Sequence, residues 1–532
     1  MELLKFTIII LFIINFSKAQ QGHPRNQDEL QKMFDKTMNA FSQYSVNCFV
    51  VAGLSLNMAQ LGMVLGFPTV LLPQLRRADS SIPIDDSSGS WIAALPGFAL
   101  MAGNLIIPIL MAKLGRRIAN ILSIVIVLIG WVSVVTATGI LWLLLARFFQ
   151  GLSLGLSTGL IPIAIGEYTS PKNRGPFSIS MSFIMGLGTL LVHTVGSYST
   201  WQITALVIAC ITFVNLLIVI YSPESPSWLA NQGRYDDSRR VFRWLRGNEE
   251  DNELDKMLTA SKLARESWEN NRKLTFFKRI KSTISYMGKT LRKKEFNKPI
   301  FIMLHLFAIC QWAGINVLAP YAGDIIKNVV GADTYTPPII VAMGIQRIIS
   351  SLFAVYIIRK IKRRTMLFTM VGLNTAIVFI TAAYSYAKSH NMLSFDHPAI
   401  GITLILAHMF TVATGSLPLP YTIAGEIFPL EYRSLSSGIS SLFSSINIFF
   451  AIKTLPYMFN TIGVHGAYCV YFGIMVYCLT IAWFFLPETK DRTLQDIEDE
   501  FRGKPRYPED LKSAQPLTVW KSNEEKQAET EA

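Results

Sequence analysis

Long apolar runs alternate with short polar connections along almost the whole chain, and this pattern sets every later inference. A hydrocarbon core of about 30 Å takes about 20 apolar residues of helix to cross. Stretches of that kind begin near Asn47, Trp91, Ala119, Ile140, Phe177, Ile203, Pro299, Pro338, Met366, Ala399, Ser434 and Val464. Backbone polar groups cannot stay unpaired in lipid, and the runs are too long and too evenly apolar for barrel strands. The pattern therefore predicts an all-α membrane protein with twelve transmembrane helices.

The polar stretch from Arg234 to Lys298 divides these spans six and six, and features recur across it in the same order. Glu167 precedes Arg174 by seven residues after span four, as Glu426 precedes Arg433 by seven after span ten. Arg116-Arg117 after span two is echoed by Arg363-Arg364 after span eight, and Pro223-Glu224-Ser225 after span six by Pro487-Glu488-Thr489 after span twelve. Such repetition is what an internal duplication leaves behind. It predicts two pseudo-symmetric six-helix bundles over residues 47–232 and 299–487. A linker with short helices joins them over 233–298, residues 1–46 precede them, and a tail follows over 488–532. Two similar halves can rock about a site at their interface and expose it to each side in turn. The charges Arg116, Arg147, Glu167, Arg174, Glu224, Glu426, Arg433 and Glu488 are then candidates for a gate at the cytoplasmic ends; the competing reading is that they only orient helices and satisfy loop backbones.

Composition supports a lipid environment: 51% of residues are hydrophobic and 16% charged, with a mean hydropathy of +0.36, more apolar content than a soluble fold can hide. The formal charge of +13 does not point to nucleic acid, because the basic residues fall in alternate loops: Lys113 to Arg117, Lys172 to Arg174, Arg234 to Lys298 and Arg359 to Arg364. By the positive-inside rule those loops, and with them both termini, are cytoplasmic. The basic linker is expected to touch anionic lipid or brace the halves. Lys5, the apolar run Phe6 to Phe16 and Ser17-Lys18-Ala19 together have the form of a secretory signal. A cleaved signal would put the basic loops on the wrong side, so the leader is expected to be unused in that way, or absent with translation starting at Met33 or Met38. The five cysteines lie in or beside apolar stretches without a CxxC pair or metal-ligand spacing, so inert thiols and no metal or cofactor are expected. No phosphate-binding Gly-rich loop occurs, which argues against ATP drive.

Several motifs resemble the sugar porter family of the major facilitator superfamily, and within it the insect facilitated trehalose transporters. They are Leu114-Gly115-Arg116-Arg117, Arg147 with Gly151, Pro162 and Glu167 through Arg174-Gly175, Pro223 through Leu229, Gln311 through Gly314-Ile315-Asn316, Pro418-Leu419-Pro420 through Glu426, and Pro487-Glu488-Thr489-Lys490. The insect likeness rests on Gly425 through Pro429, Lys453-Thr454, Gly463 through Ala467 and Thr493 through Glu498. The resemblance implies the major facilitator fold, no enzymatic activity, and a plasma-membrane carrier whose partner is a small sugar, trehalose or a hexose. It nominates Gln311, Asn316, Tyr321 and Tyr421 as sugar-binding. Amides offer both donors and acceptors to hydroxyls, and an aromatic face covers the apolar side of a sugar ring. Cys310, Pro320, Tyr421, Ser444-Ser445 and Ser182 depart from the family's usual residues at the sugar site, and Ala112, Arg359 and Lys362 depart from it at the gate. A carrier of another small organic solute and a non-transporting sugar sensor are therefore rival readings.

Proton-coupled relatives commonly place an Asp in span one, whereas no acid occurs between Cys48 and Val70; the resemblance then implies facilitated diffusion. A millimolar site stabilises the complex by only about 4 kcal/mol and lets the solute leave. Arg347 and Lys453 lie inside spans where charge is costly, either snorkelling to the surface or serving an anionic substrate or the gate. Gly62 with Gly66 and Gly151 with Gly155 are expected at close helix contacts, and His193, His305 and His408 as packed or interhelically bonded residues.

Overall fold

The computed structural model describes residues 49–503 apart from 170, 248–249, 272–289, 291–292, 332–333, 429–432, 491 and 493; at 171–180, 263–271, 315–319, 433–434 and 494–495 it describes the backbone alone. The signal-like leader, Cys48 and the tail beyond Gly503 lie outside the described residues.

All described elements are helical. Spans one to six are Phe49–Leu75, Asp86–Leu114, Arg116–Val135, Ile140–Tyr168, Pro171–Tyr198 and Trp201–Tyr221. Short helices follow at Pro226–Asn231, Tyr235–Arg246 and Asp251–Asn271. Span seven is broken into Lys294–Trp312 and Ile315–Val329; span eight is Thr336–Lys360 and span nine Arg363–Ser389. Span ten runs through Pro398–Thr411, a π-helical turn Val412–Ser416 and Pro418–Ile427. A continuous helical stretch, Arg433–Phe485, contains spans eleven and twelve. Together these make the twelve-helix, two-bundle architecture that the repeat predicts.

Glycines set the two internal breaks. Gly463, at φ 72°, reverses the chain between spans eleven and twelve, and Gly314, at φ +105°, interrupts span seven; other L-residues are strained in this region. Span two starts a turn before its apolar run because Asp85 caps it, accepting from the Ser88 backbone N–H at 3.2 Å.

Inside the first bundle, spans one, three and six are joined by polar contacts. Asn57 donates to Asn120, Asn215 donates to Asn57 at 2.7 Å, and the Trp131 indole donates to Gln60 at 3.0 Å. Such bonds act as interhelical glue where water is absent. Small residues allow close packing: a Cβ on Gly155 would sit 2.3 Å from the Leu100 carbonyl oxygen, and one on Gly151 2.4 Å from Pro96 Cα. Large apolar side chains such as Leu105, Ile109, Leu141, Ile349 and Phe484 remain exposed on the outer surface, where lipid would cover them. Cys210 and Cys469 are exposed while Cys310 and Cys478 are buried, so only part of the set is enclosed.

Between the bundles, span two packs against span eleven and span five against span eight. Exchanging the halves maps one pair onto the other, so the seam keeps the pseudo-symmetry. The end carrying Arg116 and Arg363 is the basic-loop face; the end carrying Arg76 is the opposite face.

Candidate functional site

Near the middle of the seam, broken span seven, span ten and span eleven bring polar groups together. Gln311 Nε2 donates to Ser444 Oγ at 2.7 Å. The Tyr421 hydroxyl lies close to Ser444 and Gln311, and its ring meets Phe307 edge-on at 5.3 Å. Tyr421 nevertheless keeps 56% of its surface accessible. A residue set against spans seven and eleven and still accessible faces an internal space rather than lipid. From the other half, Asn104 Nδ2 donates to Ser445 Oγ at 3.2 Å and Thr158 Oγ1 donates to Asn104 Oδ1 at 3.1 Å, so the cluster bridges the bundles. The Trp312 indole donates to Asn447 at 2.8 Å beside it.

The break at Gly314 frees the Ala313 carbonyl, which accepts from the Asn374 amide at 3.4 Å and lies 2.7 Å from His408 Nε2. Thr411 in turn donates to Asn374 Oδ1 at 3.0 Å. The π-helical turn follows directly, and π-bulges concentrate at functional sites because they re-aim the side chains after them; here those include Tyr421. His408 is thus interhelically bonded, and half-buried His305 reaches the Tyr477 hydroxyl of span twelve at 3.5 Å.

Among the sequence candidates, Gln311 and Tyr421 fall in this cluster. The side chain of Asn316 lies outside the described residues, although its backbone begins the second segment of span seven. Tyr321 is 2% exposed and donates to the Ile452 carbonyl at 3.4 Å, so it is covered in this conformation. Ser444, Ser445 and Asn104 complete the cluster without having been nominated. Ser444-Ser445 stood out only as a departure from the family's residues, and Asn104 gave no signal beyond an amide in an apolar run.

At the basic-loop face the paired motifs form two matching clusters. Arg116 Nη2 donates to Glu167 at 2.7 Å, and Ser225 Oγ donates to the same carboxylate at 2.5 Å. Glu224 accepts from the backbone N–H groups of Arg116 and Arg117 at 2.7 and 3.2 Å. In the second half Arg363 Nη2 donates to Glu426 at 2.9 Å, as does Thr489 Oγ1 at 2.6 Å. Glu488 accepts from the backbone of Arg363 at 2.9 Å and Arg364 at 3.1 Å. Burial holds the Glu224 carboxyl above its ordinary value despite those N–H groups. Burial pushes Glu488 upward too, but the N–H groups of Lys490, Arg364 and Arg363 outweigh it and hold the carboxyl below its ordinary value. Every one of these pairs lies within one half. The side chains of Arg174 and Arg433 lie outside the described residues.

Arg147 departs from the expected gate. It lies about 30 Å along span four from Glu167 at 1.5 Å per residue, fully buried, and donates to the carbonyls of Ile92 and Val64 at 2.9 and 3.0 Å and to Gln150 at 2.7 Å. It braces spans one, two and four toward the opposite face because two backbone carbonyls and the Gln150 side-chain oxygen there accept from it.

The opposite face carries further contacts between halves. Arg76 Nη1 pairs with Asp324 at 2.8 Å, and Arg76 Nη2 reaches Asp86 at 3.4 Å. Burial lowers the affinity of the Arg76 guanidinium for its proton, yet Asp324 and Asp86 more than restore it and hold its pKa above the ordinary value. Asn460 donates to Asp86 at 3.1 Å. Lys453 Nζ donates to Ser90 at 2.6 Å and stands 4.2 Å over the Trp91 ring. Lys453 therefore does not simply snorkel to the surface: a hydroxyl and an aromatic face of the other half hold it. Phe449 packs between Trp91 and Phe98, at 5.9 Å from each. None of these pairings joins sequence neighbours.

A model of the family described as sugar (and other) transporter matches residues 11–501. The chain is 25% identical over 474 residues to the facilitated trehalose transporter Tret1 of Aedes aegypti, covering 88% of this chain and 57% of that one. It is 24% identical over 462 residues to a facilitated trehalose transporter Tret1-2 homolog of Drosophila sechellia, covering 86% and 91%. The chain thus spans little more than half the length of the first of these relatives. The xylose transporter XylE from E. coli, in a partially occluded inward open conformation, superposes with a TM-score of 0.68 at 17% identity, covering 85% of this chain and all of that one. The same protein as a proton:xylose symporter bound to 6-bromo-6-deoxy-D-glucose gives 0.66 at 18% identity, over 86% of this chain and 100% of that one. With the family match running over residues 11–501, the chain belongs to the sugar (and other) transporter family, and its helical fold is that of these solved transporters.

Proposed function

We propose that the protein moves a neutral sugar, trehalose or a hexose, across the plasma membrane by alternating access and without a coupled ion. The observation that carries this reading is the Gln311–Ser444–Tyr421 cluster at the seam, with Asn104 and Ser445 meeting across it. The amides of Gln311 and Asn104 and the hydroxyls of Ser444 and Ser445 can exchange their mutual bonds for bonds to a polyol at little net cost, since they are already paired before binding. The cross-half contacts at the opposite face close one entrance, while the basic-loop clusters are each tied within a half and leave the other free to part. The positive-inside rule makes the basic-loop face cytoplasmic, with both termini on that side; this conformer is then inward-facing. Uniport is supported by the absence of any acid in span one and by Arg147 bonding to carbonyls and an amide rather than to a carboxylate. The curated relatives are named for trehalose transport, which places that disaccharide first among substrates to test. Oocytes expressing the full chain should take up labelled trehalose or glucose saturably, unchanged by collapsing the proton gradient. Surface expression with no uptake of trehalose, glucose or a polyol would refute it.

A further inference from the structure

Spans one, five and eight meet on the opposite-face side of the seam's centre at a point that no sugar-site argument requires. Span one approaches span five closely there: a Cβ on Gly62 would stand 2.0 Å from the Met185 carbonyl oxygen, and one on Gly66 3.4 Å from His193 Nε2. Across the seam, Gly344 of span eight admits Leu190, whose Cδ1 lies 2.7 Å from an ideal Cβ. Arg347 enters this junction, 5% exposed, and its Nη1 donates to Thr189 Oγ1 at 3.3 Å, the one side-chain hydrogen bond it makes among the described residues.

Two buried guanidinium groups in one protein can now be compared. Arg147 has three protein acceptors, while Arg347, with five N–H donors, uses one. Spans one, five and eight contain no Asp or Glu, so none of these helices supplies a counter-charge. A cation inside a membrane protein without such a partner marks a functional position. Beside it, His193 is also 5% exposed, and neither ring nitrogen has a partner of good geometry, although the Gly66 backbone approaches one of them. A turn beyond Arg347, the buried Ser350 hydroxyl is unpartnered too. A cluster of donors short of acceptors, on the surface along which the halves must part, is a place for an incoming anion.

We propose that Arg347 and His193, with Thr189 holding the guanidinium in place, form an anion subsite that takes the carboxylate of an acidic sugar, so that the carrier accepts hexuronates besides neutral sugars. This rests on the carrier reading above and narrows its substrate class. A carboxylate matches the guanidinium fork with two parallel N–H bonds, and its single charge balances Arg347, where a phosphomonoester would bring nearly two. The remainder of a hexuronate is a ring of hydroxyls of the kind the Gln311 cluster suits.

The test is equilibrium binding of labelled glucuronate, glucose and glucose 6-phosphate to the purified full chain, together with uptake into proteoliposomes. Glucuronate should bind and compete with glucose, and Arg347→Gln should lower the glucuronate-to-glucose affinity ratio at least tenfold, with Arg347→Lys restoring part of it. His193→Phe, checked by its melting temperature, should lower the ratio several-fold and serves if Arg347→Gln does not fold. Glucuronate that neither binds nor competes while glucose is carried overturns the subsite and leaves the carrier reading intact. An unchanged ratio in the variants, or a preference for glucose 6-phosphate, also overturns it. Arg347-dependent glucuronate binding without transport of any solute would sustain the subsite and defeat the carrier reading.

Discussion

Replacing Asp324 by Ala should loosen the opposite-face closure, and the structure sets how far. The Arg76–Asp324 pair joins the halves at 2.8 Å with side chains 26% and 33% exposed. Exposed pairs contribute up to about 1 kcal/mol and breaking buried ones costs about 3–5 kcal/mol. This half-buried pair, with Asp86 still available to Arg76 at 3.4 Å, falls at about 1–2 kcal/mol. Because the bond exists only when the face is shut, its loss changes the closed-to-open ratio by about 5- to 30-fold. Spin labels at Tyr198 and Tyr335 report on this directly. Both side chains are 69% exposed, at the opposite-face ends of spans five and eight in different halves. With exposed Cys210 and Cys469 replaced first, pulsed electron-paramagnetic distance measurements should show a longer-distance population growing in Asp324→Ala and in Arg76→Ala. The charge-reversed double variant should recover part of the closed population. Distance distributions unchanged in both single variants would refute the assignment of this pair as a closure element.

Further outcomes follow from the same geometry. Gln311→Ala removes the 2.7 Å bond to Ser444 and a solute partner, and should lower sugar kcat/KM by about 5- to 30-fold for a loss of about 1–2 kcal/mol, read from initial uptake rates. Gly155→Leu must displace the Leu100 carbonyl, 2.3 Å from its Cβ, and should destabilise the detergent-solubilised protein by about 1–3 kcal/mol or more, read as a lowered melting temperature. Two glutamates should shift acid stability in opposite senses. Glu488, held below its ordinary value, contributes stability above that value that disappears as pH falls through the folded pKa; Glu488→Gln should therefore lose less stability on acidification than the parent. Glu224, held above its ordinary value by burial, binds its proton more tightly when folded; Glu224→Gln should lose more. Melting curves between neutral pH and pH about 4 check both.

Hydropathy made the spans legible because lipid leaves no alternative to a long apolar helix. Ile140 begins span four as expected, and Pro398 and Arg433 begin spans ten and eleven one residue before the expected positions. Span two begins before its apolar run because its capped first turn, Asp86-Ser87-Ser88, is polar and invisible to a hydropathy window. The broken course of span seven was hidden for a related reason: Gly314 interrupts the helix without interrupting the apolar character around it. At the candidate site, Gln311 and Tyr421 were named by the family resemblance rather than by the chain's own pattern. Ser444 and Asn104 were not, because a hydroxyl or amide in an apolar run reads equally as interhelical glue. The duplicated charges announced two clusters but not that each closes on its own half. The contacts that do join the halves, Arg76 with Asp324 and Lys453 with Ser90 and Trp91, link positions hundreds of residues apart, and only the fold brings them together.

Counterflow in proteoliposomes tests the central claim most directly, because only a carrier whose single site faces each side in turn exchanges solute faster than it releases it. Vesicles holding the purified chain and preloaded with unlabelled sugar should take up labelled trehalose or glucose several-fold faster than empty ones, with no imposed ion gradient. Rates equal to those of protein-free vesicles, or uptake that appears only when a proton gradient is applied, would contradict the account.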